Sequence, residues 1–383
     1  MAARMPQPTV RLPLKDNSTG QGLILTALGM LALGVVLVYS ATASVGPTPP
    51  WYARREVRHA IFAALSCGIL FCGWQFNYRR LMWGRRMPII PTVAMAIAVI
   101  CAALVFVPGV GRSMGGAHRW IRIGPAEYSI GFQPSELVKL ALVVFLAAWL
   151  SRDSTNIRSF KTFVVALVAT GVAVAAIVTE DFGMAAVVAI SAGAVMLMAG
   201  IPVLYLLGLL APAAGGFYFF VMRVPHRWAR ITAMFDVWNQ SNPSTYQPRQ
   251  ALIANLLGGW EGRGLGSGLQ KTFLPENATD FIFSVYCEEC GFAGAMLLIG
   301  LIGLWIWNSH RAAVRGSDRF GRVLAGSLGF LIAMQAVLHI AVNLVVAPPT
   351  GISLPLISAG GTALVMTAAA VALIVSVTAR SAK

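Results

Sequence analysis

The sequence predicts an all-α, polytopic integral membrane protein. About ten transmembrane helices are expected, with a large extracytoplasmic loop, residues 223–291, between the seventh and the eighth. Three observations carry this reading. Hydrophobic residues make up 57% of the 383 positions and charged residues only 11%, against roughly 25% charged in soluble domains. Apolar runs long enough to cross a bilayer recur from end to end and leave no stretch for a separate soluble domain. Basic residues gather in alternate connections, as expected of loops on one side of a membrane.

The elements follow in order. Residues 1–21 form a polar, basic tail without the features of a cleavable signal. Apolar spans are expected at 22–43, 60–74, 89–107, 135–150, 163–179, 182–199, 203–222, 292–307, 323–346 and 361–377. Only Glu180 and Asp181 separate the fifth from the sixth, so fusion of the two is the main topological alternative. One membrane domain, 22–379, then lies between cytoplasmic tails at 1–21 and 380–383. With the N-terminus inside, the inner segments hold 16 of the 29 Lys and Arg and 3 of the 14 Asp and Glu. The inside is thus +13 and the rest +2, which together give the net charge of +15. Because the basic residues are dispersed over short loops, they speak for topology and lipid headgroups, not for nucleic acid. Cys287 and Cys290 form a C-x-x-C outside any βαβ pattern, so no redox role is expected. The five histidines show no metal-binding spacing, and no metal ligands are assigned.

The chemistry-bearing residues concentrate on the outer side. Residues 258–291, GGWEGRGLGSGLQKTFLPENATDFIFSVYCEECG, pass from glycine-rich to basic to acidic. Lys271 offers a cation, and Glu276, Asp280, Glu288 and Glu289 offer carboxylates at the membrane edge, where charge is solvated, paired or used. The bland alternative is a solvated loop, with Thr279 or Asp280 capping a helix that starts near Phe281. After the third span, Arg112, Arg119 and Arg122 suit an anion or, equally, the bilayer interface. Glu136 and Lys139 stand three apart on one helical face. HRWARITAMF, with Arg223 preceding it and Arg227 and Arg230 within it, has the pattern of an amphipathic interfacial helix. Pro348, Pro349 and Pro355 with Gly351, Gly360 and Gly361 make a broken segment of the kind that lines a buried or aqueous cavity.

Four stretches carry a resemblance to a known family. GRSMGGAHRWIRIG with FQPSELVKLA, TEDFGMA, GRGLGSGLQKTFLPENATDFIFSVYCEECGFAG and PPTGISLPLISAGGT occur in the order found in the SEDS proteins (shape, elongation, division, sporulation), the FtsW and RodA type. The loop GVGRSMGGAHRWI is more similar to division-type members than to elongation-type ones. The resemblance implies a peptidoglycan glycosyltransferase that polymerises lipid II at the outer face of the bacterial cytoplasmic membrane, at the division septum. It places the family's essential acid on Asp280. Substrate contacts are expected from Arg119, Arg122, Glu136, Lys139, Asp181, Gln247, Lys271, Glu276 and Ser358. Mg2+ or another divalent cation is expected to assist, with no organic cofactor. The implied partners are lipid II, the growing undecaprenyl-pyrophosphate-linked glycan, a class B penicillin-binding protein that cross-links the product, divisome proteins and the membrane, with no nucleic acid. Three positions depart from the family pattern: Ala278 stands where histidine is common, Ala359 where tyrosine is common, and Met184 where threonine is common.

Converting an α-linked pyrophosphate donor into a β-linkage means inversion by one displacement. Such a step needs a base on the acceptor hydroxyl, worth about 10²–10⁴-fold, and charge stabilisation of the leaving pyrophosphate. Three other readings compete: a flippase for the same lipid, an elongation-type polymerase, and a scaffold in which Asp280 is only a helix cap.

Overall fold

The computed structural model describes residues 12–43, 50–84, 87–107, 109–114, 117–124 and 130–380. Most of the N-terminal tail and residues 381–383 lie outside that set, as do the side chains of Arg112 and Arg122. The helices are α1 (Ser18–Thr42), α2 (Arg55–Gln75), α3 (Ile89–Leu104), α4 (Pro134–Leu150), α5 (Phe160–Ala175), α6 (Phe182–Ala199), α7 (Val203–Leu207), α8 (Leu210–Phe217), α9 (Pro225–Phe235), α10 (Tyr246–Leu257), α11 (Ile282–Val314), α12 (Arg319–Asn343) and α13 (Gly361–Thr378). Among the described residues, seven segments are long and apolar enough to cross a membrane: α1, α2, α6, the run Val203–Met222, α11, α12 and α13. Helices α3 and α5 are apolar but shorter, at 16 residues each, and α4 has 17.

The fifth and sixth spans remain separate, because Asp181 caps α6 by accepting from Met184 N at 3.0 Å. Four features differ from the sequence expectation. The connection after α3 is not an irregular loop. It forms a small antiparallel sheet of β1 (Gly111–Met114), β2 (Ala117–Ile123) and β3 (Ile130–Phe132), in the order β1-β2-β3. The all-α description therefore holds for the membrane part only. Ile121 pairs with Gly111 on one side and Phe132 on the other, and this fixes Arg119 in the middle strand.

The run Val203–Met222 is broken into α7, α8 and a π-turn at Tyr218–Met222. Pro212 and three glycines, Gly208, Gly215 and Gly216, interrupt it, and α7 and α8 bury no residue in the bundle. By contrast α4, apolar almost all round, is buried over nearly its whole length and forms the centre of the bundle.

The third difference is that α11 starts ten residues before the expected span, at Ile282 instead of 292. Glu288 and Glu289 are therefore buried helix residues, not loop carboxylates. Within this helix Gly291 has φ 66° and ψ −168°, which breaks the hydrogen-bond ladder. The glycine-rich loop repairs the break. Arg263 N and Gly264 N donate to Glu288 O and Glu289 O at 3.0 and 2.9 Å, and Phe292 N and Ala293 N donate to Gly259 O and Trp260 O at 2.8 and 3.2 Å. A Cβ on Gly291 would meet Gly262 N at 2.4 Å, so only glycine permits the approach. The loop's glycines Gly259, Gly262 and Gly264 thus lie against helix backbone.

The fourth difference is at the start of α11. Its N-cap is Phe281, with no side-chain capping bond, so neither Thr279 nor Asp280 caps the helix. Asp280 therefore does not have the capping role that the scaffold reading gave it.

Candidate active site

Asp280 ends a tight turn that begins at Glu276. Glu276 has φ 58°, a left-handed conformation that costs a non-glycine residue about 1–2 kcal/mol. The turn is held because Glu276 O accepts from Thr279 N, Asp280 N and Phe281 N at 3.1, 3.1 and 3.3 Å. Three consecutive carbonyls are then gripped from the C-terminal part of the chain. Ala359 N donates to Ala278 O at 2.9 Å, Ser358 Oγ to Thr279 O at 2.8 Å, and Asn343 Nδ2 to Asp280 O at 2.9 Å. Asn343 is itself fixed, its Oδ1 accepting from Ser284 N at 3.0 Å and Ser284 Oγ at 2.9 Å. With its backbone so restrained, the half-buried carboxylate of Asp280 has a defined direction.

Gly351 shows what that direction is. A Cβ added there would stand 3.7 Å from Asp280 Oδ2 and 3.7 Å from Arg119 Nη1, so the two charged atoms are within about 7.4 Å, twice that distance. Gly351 has φ 71°, so the broken segment turns here and presents no Cβ to either the acid or the guanidinium. Arg119 comes from β2. Its Nε donates to Glu180 O at 2.8 Å and its Nη1 pairs with Asp181 Oδ2 at 3.8 Å. Arg230, exposed on α9, completes the charge pattern, and its field reaches both Asp181 and Asp280. Neighbouring Arg227 ties α9 to the turn before α6 by donating to Thr179 O.

The electrostatics set the two acids apart from ordinary carboxylates. Burial pushes the Asp280 carboxyl up to about 6; the Glu276 charge adds to the rise, while Arg119 and Arg230 oppose it. Burial also raises Asp181, with Arg119 as the main opposing charge. The arrangement is one acid poised near neutrality, with Arg119 beside the same glycine turn and Arg230 within reach of its charge. It can accept a proton and hold an anion at once. Among the described residues, no group of three or more His, Cys, Asp and Glu converges as a metal cage. That donor set does not fit a divalent cation held by the protein alone.

Of the residues singled out in the sequence, Asp280, Arg119, Asp181 and Glu276 come together. Glu136 lies close enough for its charge to act on Asp181, and it pairs with Lys139 Nζ at 2.5 Å, both nearly fully buried in α4. Lys271 and Ser358 are placed otherwise. Lys271 is 3% exposed and saturated: its Nζ donates to Ser40 O at 3.0 Å and Gly266 O at 2.7 Å and pairs with Glu289 at 3.5 Å. Glu288 accepts from Leu269 N at 2.8 Å and Gln270 N at 3.0 Å in the same buried cluster. Ser358 spends its hydroxyl on the turn that carries Asp280. Gln247 is half-buried on α10, and Arg122 lies on β2 with its side chain outside the described set. Sequence reasoning missed Arg230 as a site group, having taken its helix for a surface anchor, and missed Asn343; Gly351 it named only as part of a broken, cavity-lining segment.

Comparison with known proteins identifies the family. Residues 21–383 match the FtsW/RodA/SpoVE family model, described as cell cycle protein. The chain belongs to that family. It is 34% identical over 381 residues to the probable peptidoglycan glycosyltransferase FtsW of Alcanivorax borkumensis, covering 96% of this chain and 95% of that one. The protein of the same name from Nitrosococcus halophilus is 33% identical, covering 92% and 90%. Among solved structures, one described as structural coordination of polymerization and crosslinking by a peptidoglycan synthase complex superposes with a TM-score of 0.75 at 26% identity, over 94% of this chain and 97% of that one. The rod shape determining protein RodA of Thermus thermophilus gives 0.66 at 26% identity, covering 93% and 95%. Family membership and the FtsW relatives make this chain a multi-pass peptidoglycan glycosyltransferase of the SEDS type, a protein of cell-wall synthesis and division.

Proposed function

We propose that this chain polymerises lipid II into glycan strands at the outer face of the cytoplasmic membrane during division, with Asp280 as the general base. The observation that carries the proposal is the Asp280 carboxylate, raised to about 6 and facing Arg119 across Gly351. In the reaction, Asp280 takes the proton of the acceptor sugar hydroxyl as its oxygen bonds to the donor's anomeric carbon. The bond from that carbon to the lipid pyrophosphate breaks with inversion. Arg119 and Arg230 receive the negative charge that develops on the leaving pyrophosphate. Asp181 and Glu180 hold the Arg119 side chain in place for that contact.

The ten apolar segments all cross in this proposal, α3, α4 and α5 included, as one domain over 22–379. Both tails are then cytoplasmic, and Asp280 faces outward. The lopsided distribution of basic residues supports the orientation. The relative described as a peptidoglycan synthase complex supports a partnership with a class B penicillin-binding protein that cross-links the strand within the divisome. The buried Glu136–Lys139 pair gives the flippase reading no support, since it neutralises itself.

Two measurements test the reading. A base works only as the carboxylate, so kcat/KM for lipid II should be flat above pH 6 and fall about tenfold per unit below it. A profile with no inflection between pH 5 and 7 would count against Asp280. Arg119→Lys keeps one positive charge but not the fork that bridges Glu180 O and Asp181. Loss of about 10²-fold in turnover is expected, read with purified protein, and an unimpaired variant would take Arg119 out of the site.

A further inference from the structure

A second feature lies at the far end of the molecule from Asp280. Helix α11 has 33 residues, about 50 Å at 1.5 Å per residue, and its last two turns border a cavity of about 730 Å3 between α11, α12 and the end of α6. The floor is apolar, with Ile306, Ala313, Phe330 and Ala333 among its residues. Arg319, Arg322 and His310 form the polar rim. Ser309 stands on the wall, 2% exposed, with no hydrogen-bond partner for its Oγ among the described residues.

The charge at this rim is unbalanced. The acid nearest in sequence, Asp318, is already committed: it accepts from Arg79 Nε at 2.8 Å and from Tyr78 Oη at 2.9 Å. Arg319 and Arg322 form no ion pair among the described residues. Each has one backbone tether, Arg319 Nη2 to Ala199 O at 2.8 Å and Arg322 Nη1 to Gly316 O at 3.2 Å. Those bonds orient the guanidinium groups and leave most of their five N–H donors for another acceptor. Trp307, 60% exposed and with its ring centroid 6.3 Å from that of His310 on the rim, is the kind of side chain that sits at a membrane interface. Phe330 and Val337 carry the apolar surface onward along α12 at 37% and 60% exposure.

We infer that this cleft binds one anionic phospholipid of the leaflet opposite the Asp280 cluster. Its phosphate sits between Arg319 and Arg322, and one acyl chain lies along Ile306, Ala313 and Phe330. The volume suits a headgroup with the upper part of a chain, and basic pockets between helices are the recognised form of such sites. A neutral or zwitterionic lipid could fill the apolar floor, but it would leave the two guanidinium charges without a net counter-charge.

The test is native mass spectrometry of the delipidated protein in detergent, titrated with phosphatidylglycerol or with phosphatidylcholine of the same chains. One phosphatidylglycerol should bind in preference. Arg322→Gln should weaken it about fivefold and Arg319→Gln with Arg322→Gln about 25-fold, leaving phosphatidylcholine unchanged. Ala333→Phe, which fills the floor without touching charge, should also expel the lipid. None of these residues belongs to the Asp280 cluster, so retained lipid II turnover verifies that each variant is folded. Equal affinity for the two lipids, unchanged binding in the variants, or displacement by inorganic phosphate alone would each overturn the assignment. Binding of neither lipid would also overturn it and would leave the groove to a partner's helix.

Discussion

Asp280→Asn is expected to abolish glycan polymerisation and, at the same time, to make the protein more stable. The loss should be at least 10²–10⁴-fold, because asparagine cannot accept the hydroxyl proton. The gain follows from the sign of the pKa shift. The carboxyl rises from its ordinary 3.8 to about 6 on folding, so the folded state holds that proton more tightly than the unfolded one. Below pH 3.8 both states are protonated and nothing is lost. Between 3.8 and 6 stability falls as pH rises, and above 6 the folded protein carries the whole cost of the buried charge. At full burial that cost would be about 3 kcal/mol. Asp280 is only half-buried, so about 1–2 kcal/mol is expected after solvent screening. Thermal unfolding in detergent should therefore shift upward by a few degrees in a variant that no longer turns over lipid II. A well-folded Asp280→Asn protein with normal turnover would remove Asp280 as the base and pass the question to Glu276 and Asp181. A variant that lost activity together with stability would mean that the charge serves the fold.

Lys139→Ala should be the most damaging single change to the fold. Lys139 Nζ lies 2.5 Å from Glu136 Oε2 in the middle of the bundle, and the residues are 3% and 1% exposed. Removing the ammonium leaves a carboxylate in low dielectric without its partner, which costs about 3–5 kcal/mol. The double change Glu136→Gln with Lys139→Met, which removes both charges and keeps the volume, should recover most of the loss. Unfolding temperature and monodispersity in detergent provide the readout. If both single alanine variants at 136 and 139 are as stable as the parent, the pair is solvated and the packing of α4 is looser than described.

Most of the membrane part was legible because a bilayer demands long apolar runs and allows few exceptions, which is why α1, α6, α12 and α13 lie close to their expected bounds. Departures came where polar backbone is satisfied inside the protein. The first ten residues of α11 fall outside the expected span because Glu288 and Glu289 are charged, although a helix starting near Phe281 is one alternative, and only the structure reveals Lys271, Leu269 N and Gln270 N as their buried partners. The sheet after α3 escaped notice because its strands are short and its alternation weak. At the site, Asp280 was readable from its motif and Arg119 from its loop. Arg230 was not, since an arginine on an amphipathic helix looks the same whether it faces lipid headgroups or a substrate. Gly351 was legible only as part of a broken segment, and Asn343 could not be found from one sequence, because their importance lies in what they touch far along the chain.

The grip on residues 278–280 also has a consequence for how the protein is made. Asp280 emerges from the ribosome well before Asn343, Ser358 and Ala359, the groups that hold its turn. Until α12 and the proline-rich segment are inserted, the acid exists but has no fixed direction. If Asp280 is the base as proposed, a nascent chain stalled before residue 343 has the acid without the groups that orient it.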